Sequence, residues 1–242
     1  MRLQIVVSRF KEEINWTKDY SSVLIYNKGK DIEIDCEILP NVGREAHTYL
    51  HHIINKYENL AEITCFFQGT KPSFGARNGH LCSGVEAIDY FEAPKFIYTC
   101  SISTDEKKHR TRSLYKYYND KIKNVTTLPI NSQDDYWSSF DYYDWSNNEF
   151  KKLKDSQIKL NKNYHFKDFC LNVLEINISN FSHINYSQGA QFSVSRETIR
   201  KKPKAYYERI ISYLDNHICP FETIFMEWAW GLLFDADKAV EK

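Results

Sequence analysis

Two short, almost wholly apolar runs bracket an amphipathic stretch in the first third of the chain. That order restricts the fold more than any other feature. The runs are LQIVVS (3–8) and ITCFFQG (63–69). A strand buried on both faces reads as a continuous apolar run, not as an alternation. Between them, residues 44–58 place Ala46, Tyr49, Leu50, Ile53, Ile54 and Tyr57 at i, i+3, i+4 spacing, the stripe of a half-buried helix. Strand, crossover helix and strand make a parallel pair.

Other segments extend the pattern. SVLIYNKG (22–29) reads as a strand closed by a turn signal, and DIEIDCEI (31–38) alternates as a third strand or an edge hairpin arm before Pro40 stops it. FIYTCSIS (96–103) is a further strand candidate. Residues 70–84 are the richest in Gly, Pro and Ser, the composition of a loop over a site. From 104 to 165 the chain is polar and Tyr-rich around DDYWSSFDYYDW (134–145), as an insertion or lid would be. Residues 166–194 carry a short helix or strand, then a loop (NYSQGAQFSVS) entering a strand. PKAYYERIISYLDN (203–216) reads as a helix with Pro203 at its start, and FETIFMEWAWGLLF (221–234) as a very apolar one. With no repeat and no linker, a single α/β domain over residues 1–242 is expected. Its mostly parallel, Rossmann-like sheet would be flanked by helices.

Composition removes several classes. Lys plus Arg and Asp plus Glu are both 32, so the chain lacks the basic excess of a general nucleic-acid or anionic-membrane binder. The apolar run of MRLQIVVSRF is too short for a signal peptide, and no segment reaches the roughly 18 apolar residues of a membrane span. A cytoplasmic protein is expected. Cys36, Cys65, Cys82, Cys100, Cys170 and Cys219 show no CxxC spacing, so they are expected to be reduced and mostly buried. Seventeen Tyr raise the aromatic share to 15%, which suits core packing and also suits stacking on sugar-like ligands.

Four groups of residues could carry chemistry. His47 and His51 have the spacing of a zinc-peptidase helix, but position 48 is Thr where the catalytic Glu would stand, so a structural role is expected. The strand ends Ser8-Arg9, Asn27-Lys28-Gly29 and Gln68-Gly69 supply a guanidinium, an ammonium, amides and flexible backbone. They suit a nucleotide diphosphate at the carboxyl ends of an open sheet, or ordinary turns. Gly43-Arg44 begins the helix, where Arg44 and free amides could hold phosphate. Glu227, between Met226 and Trp228 in the apolar last helix, is expected to be buried and either ion-paired or poised as a general base. The acidic pairs Asp134-Asp135 and Asp141/Asp144 suit solvated loop better than a metal. GxxxxGK[ST], GxGxxG and GxSxG are absent.

VVSRFKEEINW, IYNKG, NVGREAHTYLHHIINKYENL with FFQG, GAQFSVSRETIRKKPKAYYERIISYL and MEWAWGLLF, in that order, resemble an uncharacterised domain family of fungi, bacteria and large DNA viruses. NVGREAHTYLHHI and GAQFSVSRE are the most specific blocks. At one remove the chain is similar to GT-A-type glycosyltransferases. These open with a strand and an R-x-x-E-like loop that holds the nucleotide. They carry a late G-x-x-F-x-x-S-R segment, matched here by Gly189, Phe192, Ser195 and Arg196. The usual Asp-x-Asp at the central strand end is replaced by Phe67-Gln68-Gly69.

That second resemblance implies transfer of a sugar from a nucleotide-sugar donor to a hydroxyl of a carbohydrate acceptor, with no nucleic-acid partner. Ser8, Arg9, Arg44, Gln68 and Gly69 would form the donor side, and Gly189, Gln191 and Arg196 the acceptor side. Glu227 would be the base if the reaction inverts. Mn²⁺ or Mg²⁺ would need ligands from outside the central strand. The alternatives are a non-catalytic carbohydrate- or nucleotide-binding module and a partner-binding protein.

Overall fold

The computed structural model describes residues 2–70, 96–98, 114–115, 124–129, 166–179, 181–186, 190–234 and 240–241. The first apolar run forms β1 (Leu3–Arg9), followed by a 3₁₀ turn at Asn15–Asp19, β2 (Val23–Asn27), β3 (Glu37–Ile38), α1 (Arg44–Lys56) and β4 (Ile63–Gln68). Next come β5 (Phe96–Tyr98), β6 (Leu114–Tyr115), β7 (Asn124–Pro129), α2 (Phe166–Asn172), β8 (Phe181–Tyr186) and β9 (Phe192–Ser195). The chain continues through α3 (Arg196–Ile199), α4 (Lys204–Ile211), α5 (Phe221–Phe234) and β10 (Val240–Glu241).

The main sheet runs β3-β2-β1-β4-β9-β5. The β3/β2, β2/β1 and β1/β4 pairings are parallel, and the two that involve β9 are antiparallel. The fold is therefore α/β with a mixed sheet whose parallel half is built by the first 68 residues. A second, antiparallel sheet has the order β10-β8-β7-β6.

Alternation along β1 and β4 divides the core in two. Val6 and Phe66 face α1, where Ala46, Tyr49, Leu50 and Ile53 are fully buried, and Ile54 and Tyr57 pack at the margin. The Tyr49 and Phe66 ring centroids are 4.8 Å apart, and Trp230 of α5 closes over Tyr49 and Phe192. Ile5, Val7, Cys65 and Phe67 face the other way, onto Ile14 and Trp16.

Two expectations need correction. Only Glu37–Ile38 of the alternating 31–38 segment pairs as a strand. Ile32, Ile34 and Cys36 instead pack, partly buried, on the Ile5/Val7 cluster, so the alternation records burial without a hydrogen-bonded ladder. The 203–216 helix is regular only over Lys204–Ile211, with Pro203 at its N-cap, and its end tightens through Tyr213 N–H to Ile210 O and Leu214 N–H to Ile211 O. Among the described residues, no helix is long and apolar enough to cross a membrane. The Tyr-rich centre at 134–145 and most of the 70–84 loop lie outside the described residues.

Candidate functional site at the carboxyl edge of the sheet

From β1 the chain moves outward through β2 and β3, then α1 carries it back to β4 on the other side of β1. The direction of strand addition reverses between β1 and β4. In open α/β sheets, ligands bind at such a reversal, outside the carboxyl ends of the strands.

Register decides which side chains share a face there. Ser8 pairs with Gln68 and with Tyr26, and Arg9 pairs with Asn27. Ser8 and Gln68 thus point to the α1 side and Arg9 and Asn27 to the opposite side. The Ser8 hydroxyl donates to Thr48 Oγ1 at 2.9 Å, and both groups are buried. Gln68 stays half-buried.

Lys28, just past β2, reaches under the entrance of α1. Its ammonium donates to Val42 O at 2.6 Å and to Arg44 O. Burial pushes its pKa down to about 7, against the opposing pull of Glu45. This tether holds an unusual helix start: Gly43 has φ +57° and Arg44 has φ +46°. Arg44 Nε lies 3.6 Å from the Glu45 carboxylate, with about a third of its side chain exposed. The Gly43 and Arg44 N–H groups donate to His217 O and Ile218 O, so the loop before α5 already covers part of the helix N-terminus.

On the opposite face, Arg9 is anchored at 2.8 Å to Asn27 Oδ1, at 3.1 Å to Glu12 O and at 3.2 Å to Lys30 O. The Glu12 carboxylate folds back onto the Phe10 and Lys11 N–H groups at 2.7 and 3.0 Å. It rests on Gly69, whose carbonyl accepts from Trp16 Nε1 at 2.9 Å. A Cβ at position 69 would sit 2.6 Å from Glu12 Oε2, so glycine is what lets a carboxylate reach the end of β4.

The histidines make contacts within the fold. His51 Nε2 lies 3.0 Å from Glu37 Oε1 and 2.8 Å from Asn55, and its ring stacks on His47 at 6.2 Å. His47 is buried, and desolvation, then Lys28 and His51, push it down to about 4. His52 accepts or donates at 3.1 Å with the Tyr26 hydroxyl, and burial pushes it to about 3. Among the described residues, no three His, Cys, Asp or Glu side chains form a group that could hold a metal ion.

The acceptor-side residues separate. Phe66 pairs with Phe192, so the antiparallel register carries Ala190 and Gln191 toward Gln68. Gln191 is buried and Ala190 sits in the left-handed region at φ +51°, while Gly189 lies outside the described residues. Arg196 stands at the other end of β9, with its N–H on Glu62 O and its guanidinium reaching Leu60 O. Five residue steps along the strand put it about 16 Å from Gln191. Arg196 therefore leaves the candidate site, because β9 runs antiparallel to β4. Glu227 is half-buried on α5, not enclosed as its apolar neighbours suggested. Burial instead lifts the carboxyl of Glu222, in the first turn of that helix, above its ordinary range.

The Ser8–Thr48 bond, the fold-back of Glu12 onto its own loop and the Lys28 tether are contacts that a reading of motifs does not supply. Thr48 stands one turn after Arg44 on the sheet-facing side of α1, and that periodicity is the one signal that could have found it.

A family model described as a protein of unknown function, DUF3431, matches residues 5–241. The chain belongs to the DUF3431 family. The match spans nearly the whole chain, so the resemblance to an uncharacterised domain family holds from β1 to β10. No curated protein matches this DUF3431 chain, and no solved structure does.

Proposed function

We propose that this DUF3431 protein is a GT-A-like glycosyltransferase that moves a sugar from a nucleotide-sugar donor to a hydroxyl acceptor. The observation that carries the proposal is that Ser8, Arg9, Lys28, Gln68 and the start of α1 all stand at the carboxyl edge where strand order reverses between β1 and β4, Arg9 on the face opposite α1. In this reading the fixed Arg9 guanidinium and the adjacent loop hold the nucleotide, and Arg44 helps to neutralise the departing diphosphate. Gln68 and the glycine edge at Gly69 lie beside the donor sugar, and Gln191 beside the acceptor. Glu227 takes the proton of the acceptor hydroxyl. The acceptor oxygen then bonds to the anomeric carbon as the bond to the diphosphate oxygen breaks, and the nucleoside diphosphate leaves.

A divalent cation does not fit the donor set at this strand end. The strand end reads Phe67-Gln68-Gly69, and among the described residues the carboxylate that reaches it, that of Glu12, is already held by two N–H groups. No step of the proposal passes through a metal.

Thermal unfolding against nucleotide sugars and bare nucleotides, with and without Mn²⁺, tests the reading. A ligand at about 100 times its Kd adds roughly 2.7 kcal/mol, and one nucleotide class is expected to produce that shift. If no nucleotide raises the unfolding temperature, the donor site falls.

A further inference from the structure

The most unusual local arrangement in the described residues is a carboxylate occupying a place built for an anion. Consecutive backbone N–H groups that converge on one point form an anion-binding concavity. Phe10 N–H and Lys11 N–H do so at the exit of β1, beside the strand-order reversal, and the Glu12 carboxylate lies in their grip. Space for that carboxylate is left just past β4 by Gly69, where a Cβ would lie 2.6 Å from Glu12 Oε2. Beside it stands a guanidinium that is fixed, among the described residues, by neutral partners. The hydrogen bonds of Arg9 go to Glu12 O, Phe10 O, Asn27 Oδ1 and Lys30 O, all uncharged oxygens, and it forms no ion pair among the described residues. Strengthening a turn would require only an acceptor. A full negative charge, a cleared strand end and a spare cation together describe an anion subsite with an internal occupant.

We propose that the Phe10–Lys11 amides and Arg9 form a subsite for a phosphate-type anionic group, and that Glu12 fills it in the free protein and must swing out when the ligand binds. Glu12 is then a built-in competitor that lowers affinity and reserves the subsite for anions that offer more than a carboxylate does. A ligand whose site is open only part of the time has its affinity reduced by that fraction, so a contact closed nine-tenths of the time weakens binding about tenfold. Regulation of the donor site in this way rests on the glycosyltransferase reading, but the subsite itself does not.

The experiment is titration of the full chain with inorganic pyrophosphate, followed by amide NMR of Phe10 and Lys11 and by calorimetry. Glu12→Ala is expected to bind pyrophosphate about tenfold more tightly than the unsubstituted protein, with both amides shifting on titration. Glu12→Gln, which keeps the length of the side chain but removes its charge, is expected to move affinity the same way, and it serves if Glu12→Ala does not fold. Equal or weaker binding by the folded variants, or unmoved Phe10 and Lys11 amides, would overturn the proposal. The two readings fail separately. Nucleotide-sugar binding that leaves these amides unmoved removes the subsite and the part of this loop in holding the nucleotide, and keeps a donor reading that rests on Arg44 and Gln68. Tight pyrophosphate binding by Glu12→Ala without any nucleotide response does the reverse.

Discussion

The Ser8 hydroxyl donates to Thr48 Oγ1 at 2.9 Å, so the last inward-facing residue of β1 is bonded directly to the helix that crosses over it. Both groups are buried, and the bond sets the spacing between strand end and helix start at the candidate site. Thr48→Val keeps the shape and strands the Ser8 hydroxyl. Leaving a buried polar group unsatisfied costs about 1–3 kcal/mol. Denaturant unfolding is expected to show that loss. It should also show that Ser8→Ala combined with Thr48→Val costs less than the two single changes summed. Full additivity would mean that the two hydroxyls do not act as a pair.

Stability is expected to rise with pH in two windows. His47 and His52 titrate near 4 and 3 in the fold against 6.5 unfolded, so the unfolded chain binds more protons between. Their neutral forms stabilise the fold fully above pH 6.5, and that contribution is lost as pH falls through 6 toward 4. Two protons give a slope of about 2.7 kcal/mol per pH unit. Lys28, near 7 in the fold against 10.5 unfolded, adds a rise of about 1.4 kcal/mol per unit above pH 7. Urea unfolding from pH 4.5 to 9 measures both. His52→Gln should halve the acid slope, and Lys28→Met should remove the alkaline rise.

The three glycines at the carboxyl edge are expected to differ sharply in tolerance. A Cβ on Gly29 would lie 1.7 Å from the Phe10 carbonyl oxygen, and one on Gly43 would lie 2.4 Å from Leu214 O in a left-handed backbone. Both obstacles are main chain, so Gly29→Ala and Gly43→Ala should each cost about 3 kcal/mol or more. Gly69→Ala meets the Glu12 side chain, whose Cβ lies 2.8 Å away, and should cost less than either, about 1–2 kcal/mol. Comparable losses in all three would contradict the backbone account.

Under the proposed transfer, Glu227→Gln should reduce turnover by about 100-fold or more while donor affinity stays within twofold, since a general base acts on the acceptor proton alone. Equal loss of binding and turnover would take Glu227 out of that role.

The period and length of the apolar runs were enough to foresee β1, β2, β4, α1 and α5, because burial on both faces, or on one stripe, leaves its mark on the chain itself. The same signal misled at 31–36. There Ile32, Ile34 and Cys36 alternate as in a strand, yet they find their burial against Ile5 and Val7 without ladder bonds. Local pattern reports which side chains seek the core. It does not report which backbone groups find partners.

Family membership and the strand-end position of Ser8, Arg9 and Gln68 were likewise legible in the linear order of motifs. Pairing was not. That β9 runs antiparallel to β4, sending Gln191 toward the site and Arg196 away from it, depends on contacts between segments far apart in sequence. The meeting of Glu12 with Gly69, of Lys28 with the α1 entrance and of Ser8 with Thr48 has the same origin. Sequence alone set which residues would be strand, helix and core, since those are preferences of a residue and its near neighbours. Tertiary structure alone decided which polar groups face one another. That choice is made by strand order and register, and a one-residue change of register reverses every face.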